Sequence, residues 1–289
     1  TAPLDRPAEK QIVFYFYIPP KMLSLPTIKP TTVRYFIELS YSGKAYNGWQ
    51  IQPNAPSVQQ TLQKALSTLL RRTTETVGAG RTDTGVHASH YVAHFDSETE
   101  IDRPVDFCYH LNALLPHDIA IRRIRPVKPT AHARFDALSR SYEYRVSLRK
   151  DPFRIDTAYQ VNWPLDVDKM NEAATLLLAH SDFTSFCKLH SDNKTNLCRV
   201  SHAAWKHEHE DLLLFSITAD RFLRNMVRAI VGTLVDVGRG KITVSDFSRI
   251  IDEKDRCSAG SSAPPQGLFL CGVTYPDSIY LDSIEQNKL

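Results

Sequence analysis

Hydrophobic and polar positions alternate along Thr32–Ser40 (TVRYFIELS), a period of two that predicts a strand. Before it, Pro3, Pro7, Pro19, Pro20, Pro26 and Pro30 predict an irregular extension over 1–31. A turn-like stretch, Tyr41–Pro56, follows the strand. In Ser57–Arg71, Val58, Leu62, Ala65, Leu66, Leu69 and Leu70 recur on one helical face, with Ser57 as cap and Gln60 completing a capping box. Strands are predicted at Tyr91–Asp96, Asp118–Val127 and Ser141–Leu148, and a short helix at Val105–Leu115. The second half predicts helices at Val167–His180, Phe222–Val237 and Val244–Glu253. It also predicts strands at Val200–Trp205 and Leu212–Ala219, around a polar turn His207–Asp211, and a last strand at Leu268–Tyr275. Asp220 is a possible cap for the helix at Phe222. Strands and helices mix without strict β-α-β-α alternation. That favours an α+β fold with mostly antiparallel sheets and helices on one face.

Composition narrows this little. The 289 residues carry a net charge of +3, which permits nucleic-acid binding without arguing for it. Five cysteines (Cys108, Cys187, Cys198, Cys257, Cys271) make an odd set with no C-x-x-C pair, and read as reduced thiols of a cytosolic protein. The apolar run Ile12–Ile18 is too short to cross a bilayer and lacks the flanks of a signal peptide, so no membrane partner is expected.

Val77–His90 (VGAGRTDTGVHASH) differs from its surroundings. It holds three glycines, one arginine, one aspartate and two histidines, with no clear periodicity. If extended, Arg81 and Asp83 leave the same face, and the cation would keep the carboxylate ionised as base or nucleophile. On composition alone, an Arg–Asp pair stitching a loop is the better reading. Gly78 and Gly80 lack the further residues of a nucleotide loop.

Motifs shift that balance. Gly80–Ala88 reads GRTDTGVHA. Tyr41–Gln50 (YSGKAYNGWQ), His132–Phe135 (HARF), Arg140–Tyr144 (RSYEY), Asp182–Phe186 (DFTSF), Met226–Gly232 (MVRAIVG) and Gly267–Tyr275 (GLFLCGVTY) follow in order. Together they resemble the TruA family of tRNA pseudouridine synthases over Thr32–Pro276. Ser42 stands where the family usually has Asp.

The resemblance implies two ferredoxin-like (RRM-like) halves, 32–128 and 129–289, with the active-site cleft between them. It implies a cytoplasmic homodimer that isomerises uridines at positions 38–40 of the tRNA anticodon stem-loop. Asp83 would be the essential carboxylate, attacking either sugar or base. Arg81 would fill the space left by the flipped base, Tyr142 would stack on that base, and Arg228 would be the active-site cation. His132, Arg134 and Phe135 would contact RNA, and His190, Ser191, Asp192, Asn193 and Lys194 would form a tRNA-touching loop. Leu268 and Leu270 would pack around the site. No metal, nucleotide or redox cofactor is required, because bonds are exchanged at constant oxidation level.

Other signals are weaker. Arg221, Arg224 and Arg228 form an i, i+3, i+7 stripe on the predicted helix, and the first two read as RNA contacts. Arg103, Arg149 and Lys150 are phosphate candidates. Tyr144 reads as core, and His87 as a support of the loop. His207 and His209 read as solvated turn residues. Two other functions compete. A tRNA-binding or folding protein without catalysis would have no reason to keep Asp83, Arg81, Tyr142 and Arg228 together. A glycoside hydrolase would need a second motif-borne carboxylate.

Overall fold

The computed structural model describes residues 32–189 and 194–281. Its strands are β1 (Val33–Tyr41), β2 (Val77–Gly78), β3 (His87–Ser97), β4 (Ile119–Val127), β5 (Ser139–Ser147), β6 (Tyr159–Gln160), β7 (Val200–His209), β8 (Leu212–Ala219) and β9 (Leu268–Thr274). Its helices are α1 (Val58–Leu70), α2 (Pro104–Leu114), α3 (Val167–Leu176), α4 (Met226–Gly238) and α5 (Val244–Glu253). The architecture is α+β.

The nine strands form one sheet in the order β4-β1-β3-β9-β5-β8-β7, with β2 on β3 and β6 on β5. Pairing is antiparallel except at β3–β9 and β5–β6. With β6 set aside, the strands fall into two sets of four, β4-β1-β3-β2 and β9-β5-β8-β7. Each places its fourth strand beside its first, then its third, then its second. The sets meet at one short parallel register, His87 opposite Phe269 and Ala88 opposite Leu270.

Each set has its own apolar core. The first gathers Tyr35, Ile37, Leu62, Leu66, Phe95 and Leu111. The second gathers Phe183, Phe186, Phe215, Ile230, Leu234 and Phe247. The cores exchange residues at the join. Leu270, Val273 and Tyr275, from β9 and its end, pack into the first core, and Val86 packs into the second. A fully buried side chain of this size contributes about 1.5–3 kcal/mol, so the exchange couples the sets strongly.

Several ends depart from expectation. Ser57 caps α1 through its hydroxyl, but Gln60 supplies only its backbone N–H, at 3.2 Å. The complete capping box lies at α5, between Thr243 and Asp246. β3 begins at His87, inside the segment that showed no strand period. β7 runs on to His209, so His207 and His209 are exposed strand positions and the turn is shorter than expected. α3 ends at Leu176, four residues before His180.

The start of α4 is the largest correction. The helix begins at Met226 because Asn225 takes a left-handed backbone (φ 66°, ψ 2°) that interrupts any helix from Phe222. Its side-chain amide donates to Ser262 Oγ at 2.6 Å. Asp220 instead accepts the Arg199 and Arg221 backbone N–H groups, at 2.8 and 2.7 Å. Arg221 and Arg224 therefore precede the helix, and no three-arginine stripe exists on it.

Candidate active site

Residues 79–86 leave β2 and return as β3, and their backbone is tied down along its length. Ala79 N–H donates to Val92 O at 2.8 Å, and the Tyr91 hydroxyl donates to Gly80 O. Tyr41 Oη and Thr82 Oγ1 lie 2.9 Å apart, and Trp49 N–H donates to Thr82 O at 3.4 Å. Val86 N–H closes a turn on Asp83 O at 3.1 Å. Beneath the loop the rings of Tyr41, Trp49 and Tyr91 are buried together, with Trp49 stacked on Tyr91 at 4.1 Å. Gly48 (φ +85°) lets the neighbouring chain pass close under the loop, since a Cβ there would meet Thr82 O at 2.1 Å.

Asp83 emerges from this base with its side chain 28% exposed. Arg228 Nη1 lies 3.8 Å from Oδ2, and Arg224 Nε lies 3.9 Å from Oδ1. These are ion pairs beyond hydrogen-bond length. Among the described residues no donor reaches the carboxylate directly, so its lone pairs stay open to an incoming group. The two cations differ. Arg228 is largely buried, its Nε donates to Ala263 O at 2.7 Å, and its own carbonyl accepts Ala263 N–H at 2.9 Å. Arg224 is 58% exposed and so is freer to turn towards solvent.

Arg81 is not the partner that its spacing predicted. It is exposed and forms no ion pair among the described residues. The charge partners of Asp83 come from 145 and 141 positions along the chain, a relation no local spacing reveals.

Tyr142 lies on β5, opposite Leu270 of β9 and Ile217 of β8, and packs against both cores. Phe222 meets its ring edge-on at 5.0 Å. Burial, then the negative charge of Asp83, raises the phenol well above its ordinary pKa, so the hydroxyl stays neutral. Tyr144 is fully buried and donates to Pro264 O at 2.7 Å. Leu268 and Leu270 are buried in the second and first cores respectively.

The H-A-R-F turn is built on histidine. His132 Nδ1 accepts the N–H groups of Arg134 and Phe135, at 3.1 and 3.3 Å. His94 Nδ1 accepts Ala133 N–H at 3.1 Å. The turn leaves Arg134 and Phe135 in solvent, with Phe135 73% exposed. Arg103 is paired with Asp106 and Arg149 with Glu210, while Lys150 and Lys194 are exposed. His190, Ser191, Asp192 and Asn193 lie outside the described residues. Among the described residues, no three His, Cys, Asp or Glu side chains gather to hold a metal, and no helix is long and apolar enough to cross a membrane.

A family profile described as tRNA pseudouridine synthase matches residues 39–136 and 173–276, more than half of the chain. The chain belongs to the tRNA pseudouridine synthase family. It is therefore an isomerase acting on tRNA. The tRNA pseudouridine synthase A of Bacteroides thetaiotaomicron is 57% identical over 258 residues, covering 89% of this chain and 96% of its own. That of Bacteroides fragilis is 56% identical over 250 residues, covering 86% and 98%. The more distant synthase of Thermoanaerobacter sp. is 40% identical over 244 residues, covering 83% and 98%. Within the family profile, Asp83 and Arg228 fall in the two matched stretches, and Tyr142 falls between them.

Proposed function

We propose that this synthase isomerises uridines at positions 38–40 of the tRNA anticodon stem-loop, with Asp83 as its catalytic carboxylate. One observation carries the reading. Asp83 is held on a rigid loop, accepts no hydrogen bond from the described residues, and faces a tethered guanidinium 3.8 Å away. An ionised carboxylate with open lone pairs can attack, and Arg228 stabilises its charge without occupying it.

In the reaction, the bond from N1 to the sugar breaks, the base turns, and carbon 5 bonds to the sugar. Carbon 5 loses its proton and N1 gains one. The target base must first leave its stack, which costs a few kcal/mol. Arg81, exposed and unpaired among the described residues, is free to fill the vacated space. Stacking on Tyr142 supplies roughly 1–3 kcal/mol towards holding the flipped base. His132, Arg134 and Phe135 form an RNA contact on one side. Lys194, with His190, Ser191, Asp192 and Asn193, forms another, and Arg103 and Lys150 contact phosphates. No cofactor takes part.

The strand order shared by the two sets supports two ferredoxin-like halves, 32–128 and 129–289, with helices on one face and the cleft between halves. Residues 1–31 precede them as an extension. The enzyme acts in the cytoplasm as a homodimer.

The decisive assay uses tRNA tritiated at carbon 5 of uridine. The parent protein should release tritium, and the Asp83→Ala variant should release none above background. Equal release from both would refute the assignment of Asp83.

A further inference from the structure

Arg140 is the second residue of β5, two before Tyr142, and its guanidinium ends among four backbone carbonyls from three separate segments. Nη1 donates to Ala137 O at 3.0 Å and to Asp220 O at 2.8 Å. Nη2 donates to Ala79 O at 3.0 Å and to Arg134 O. Ala79 is where the Asp83 loop departs from β2. Arg134 and Ala137 belong to the H-A-R-F turn and its exit. Asp220 begins the run that presents Arg224 and enters α4.

Both hydrogens on each terminal nitrogen are thereby used. Among the described residues no carboxylate forms an ion pair with this guanidinium, so charge pairing does not explain its placement. A planar fork can reach four carbonyls from two nitrogens. A lysine has one ammonium nitrogen and cannot span the same set.

The catalytic geometry has a corresponding need. Asp83 and Arg228 come from different strand sets, and no direct hydrogen bond joins them. Their separation is set by how the loop sits against the lead-in to α4. Arg140 is a single side chain bonded to both.

We propose that Arg140 is a positioning residue of the isomerisation. It holds the Asp83 loop in register with the segment bearing Arg224 and Arg228, and ties both to the turn that exposes Arg134 and Phe135. This rests on the reading of Asp83 as the catalytic carboxylate. Arg140 touches no reacting atom. Its effect is transmitted through backbone position, and a misplacement near 1 Å suffices to slow a reaction greatly.

The test compares Arg140→Lys, Arg140→Ala and Asp83→Asn with the parent, by tritium release, tRNA filter binding and thermal melting. Both Arg140 variants should melt cooperatively. Their kcat should fall by about 10²-fold while KM for tRNA changes little. Added ethylguanidinium should restore part of the kcat of Arg140→Ala and none of that of Asp83→Asn. Parental kcat in Arg140→Lys, beside an inactive Asp83→Asn, would overturn the proposal alone. Loss of cooperative melting in both Arg140 variants would also overturn it, since Arg140 would then determine the fold and not the site. An active Asp83→Asn would instead remove the underlying reading of Asp83.

Discussion

Asp83 has two cations within 4 Å, and their surroundings rank them. Arg228 is tethered at Ala263 and mostly buried, so Arg228→Lys loses both the tether and the fork. Its kcat should fall by about 10²-fold in steady-state tritium release. Arg224 is exposed, and solvent screens its pairing, so Arg224→Ala should change kcat by less than about fivefold. Equal losses from the two variants would contradict this ranking. His94 makes a second residue-level prediction. Burial, then the nearby Arg34 and His132, lowers its pKa from 6.5 to about 4. Folded His94 stays neutral, and its Nδ1 must stay unprotonated to accept Ala133 N–H. The unfolded chain binds the proton first as pH falls. Stability is therefore full above about pH 6.5 and is lost progressively down to about pH 4, by up to roughly 3 kcal/mol. Urea unfolding at stepped pH should show this decline, and His94→Gln should flatten it. At this scale the family motifs pointed to Asp83 and Arg228, while local spacing pointed to Arg81, which forms no ion pair among the described residues. Local spacing does not register partners that the fold brings from elsewhere in the chain, as it brings Arg224 and Arg228 to this carboxylate.

Among elements, the legible boundaries were those written in side-chain chemistry. Ser57 was legible as the start of α1, because its hydroxyl takes up a backbone N–H that the helix leaves open, and the structure shows Thr243 doing the same for α5. The start of α4 was hidden, since it depends on a left-handed asparagine that no hydrophobic period records. Strands β2 and β6 have two residues each, too few to show alternation. The Asp83 loop gives the test at this level. Gly48→Ala would place a Cβ against Thr82 O, directly before Asp83, at a backbone angle that alanine resists. It should cost more than about 1 kcal/mol in urea unfolding and lower turnover as well. Gly80→Ala meets nothing within 4 Å and should melt like the parent.

For the whole molecule, the motifs in order over 32–276 identified the family, and the mixed periods identified an α+β fold. Neither showed that one sheet runs through both strand sets, because strand neighbours distant in sequence leave no local mark. That continuity has a measurable result. β9 pairs with β5 and also supplies Leu270 and Val273 to the first core. The two cores should therefore unfold together. Trp49 reports the first and Trp205 the second. Single-tryptophan variants, made by replacing the remaining tryptophans with phenylalanine, should give coincident urea transitions. Midpoints that separate would show that the halves are independent.

The same strand constrains how the protein is made. Leu270, Val273 and Tyr275 belong to the first core but are synthesised some 150 residues after the other strands around it. While translation proceeds, that core stands open at the join, and its apolar wall waits for a segment still inside the ribosome. Domains usually mature in order of synthesis. Here the first set can gather early but is sealed only by the end of the second. A chain released before residue 268 would display an unfilled groove, the kind of surface that chaperones hold and proteases clear.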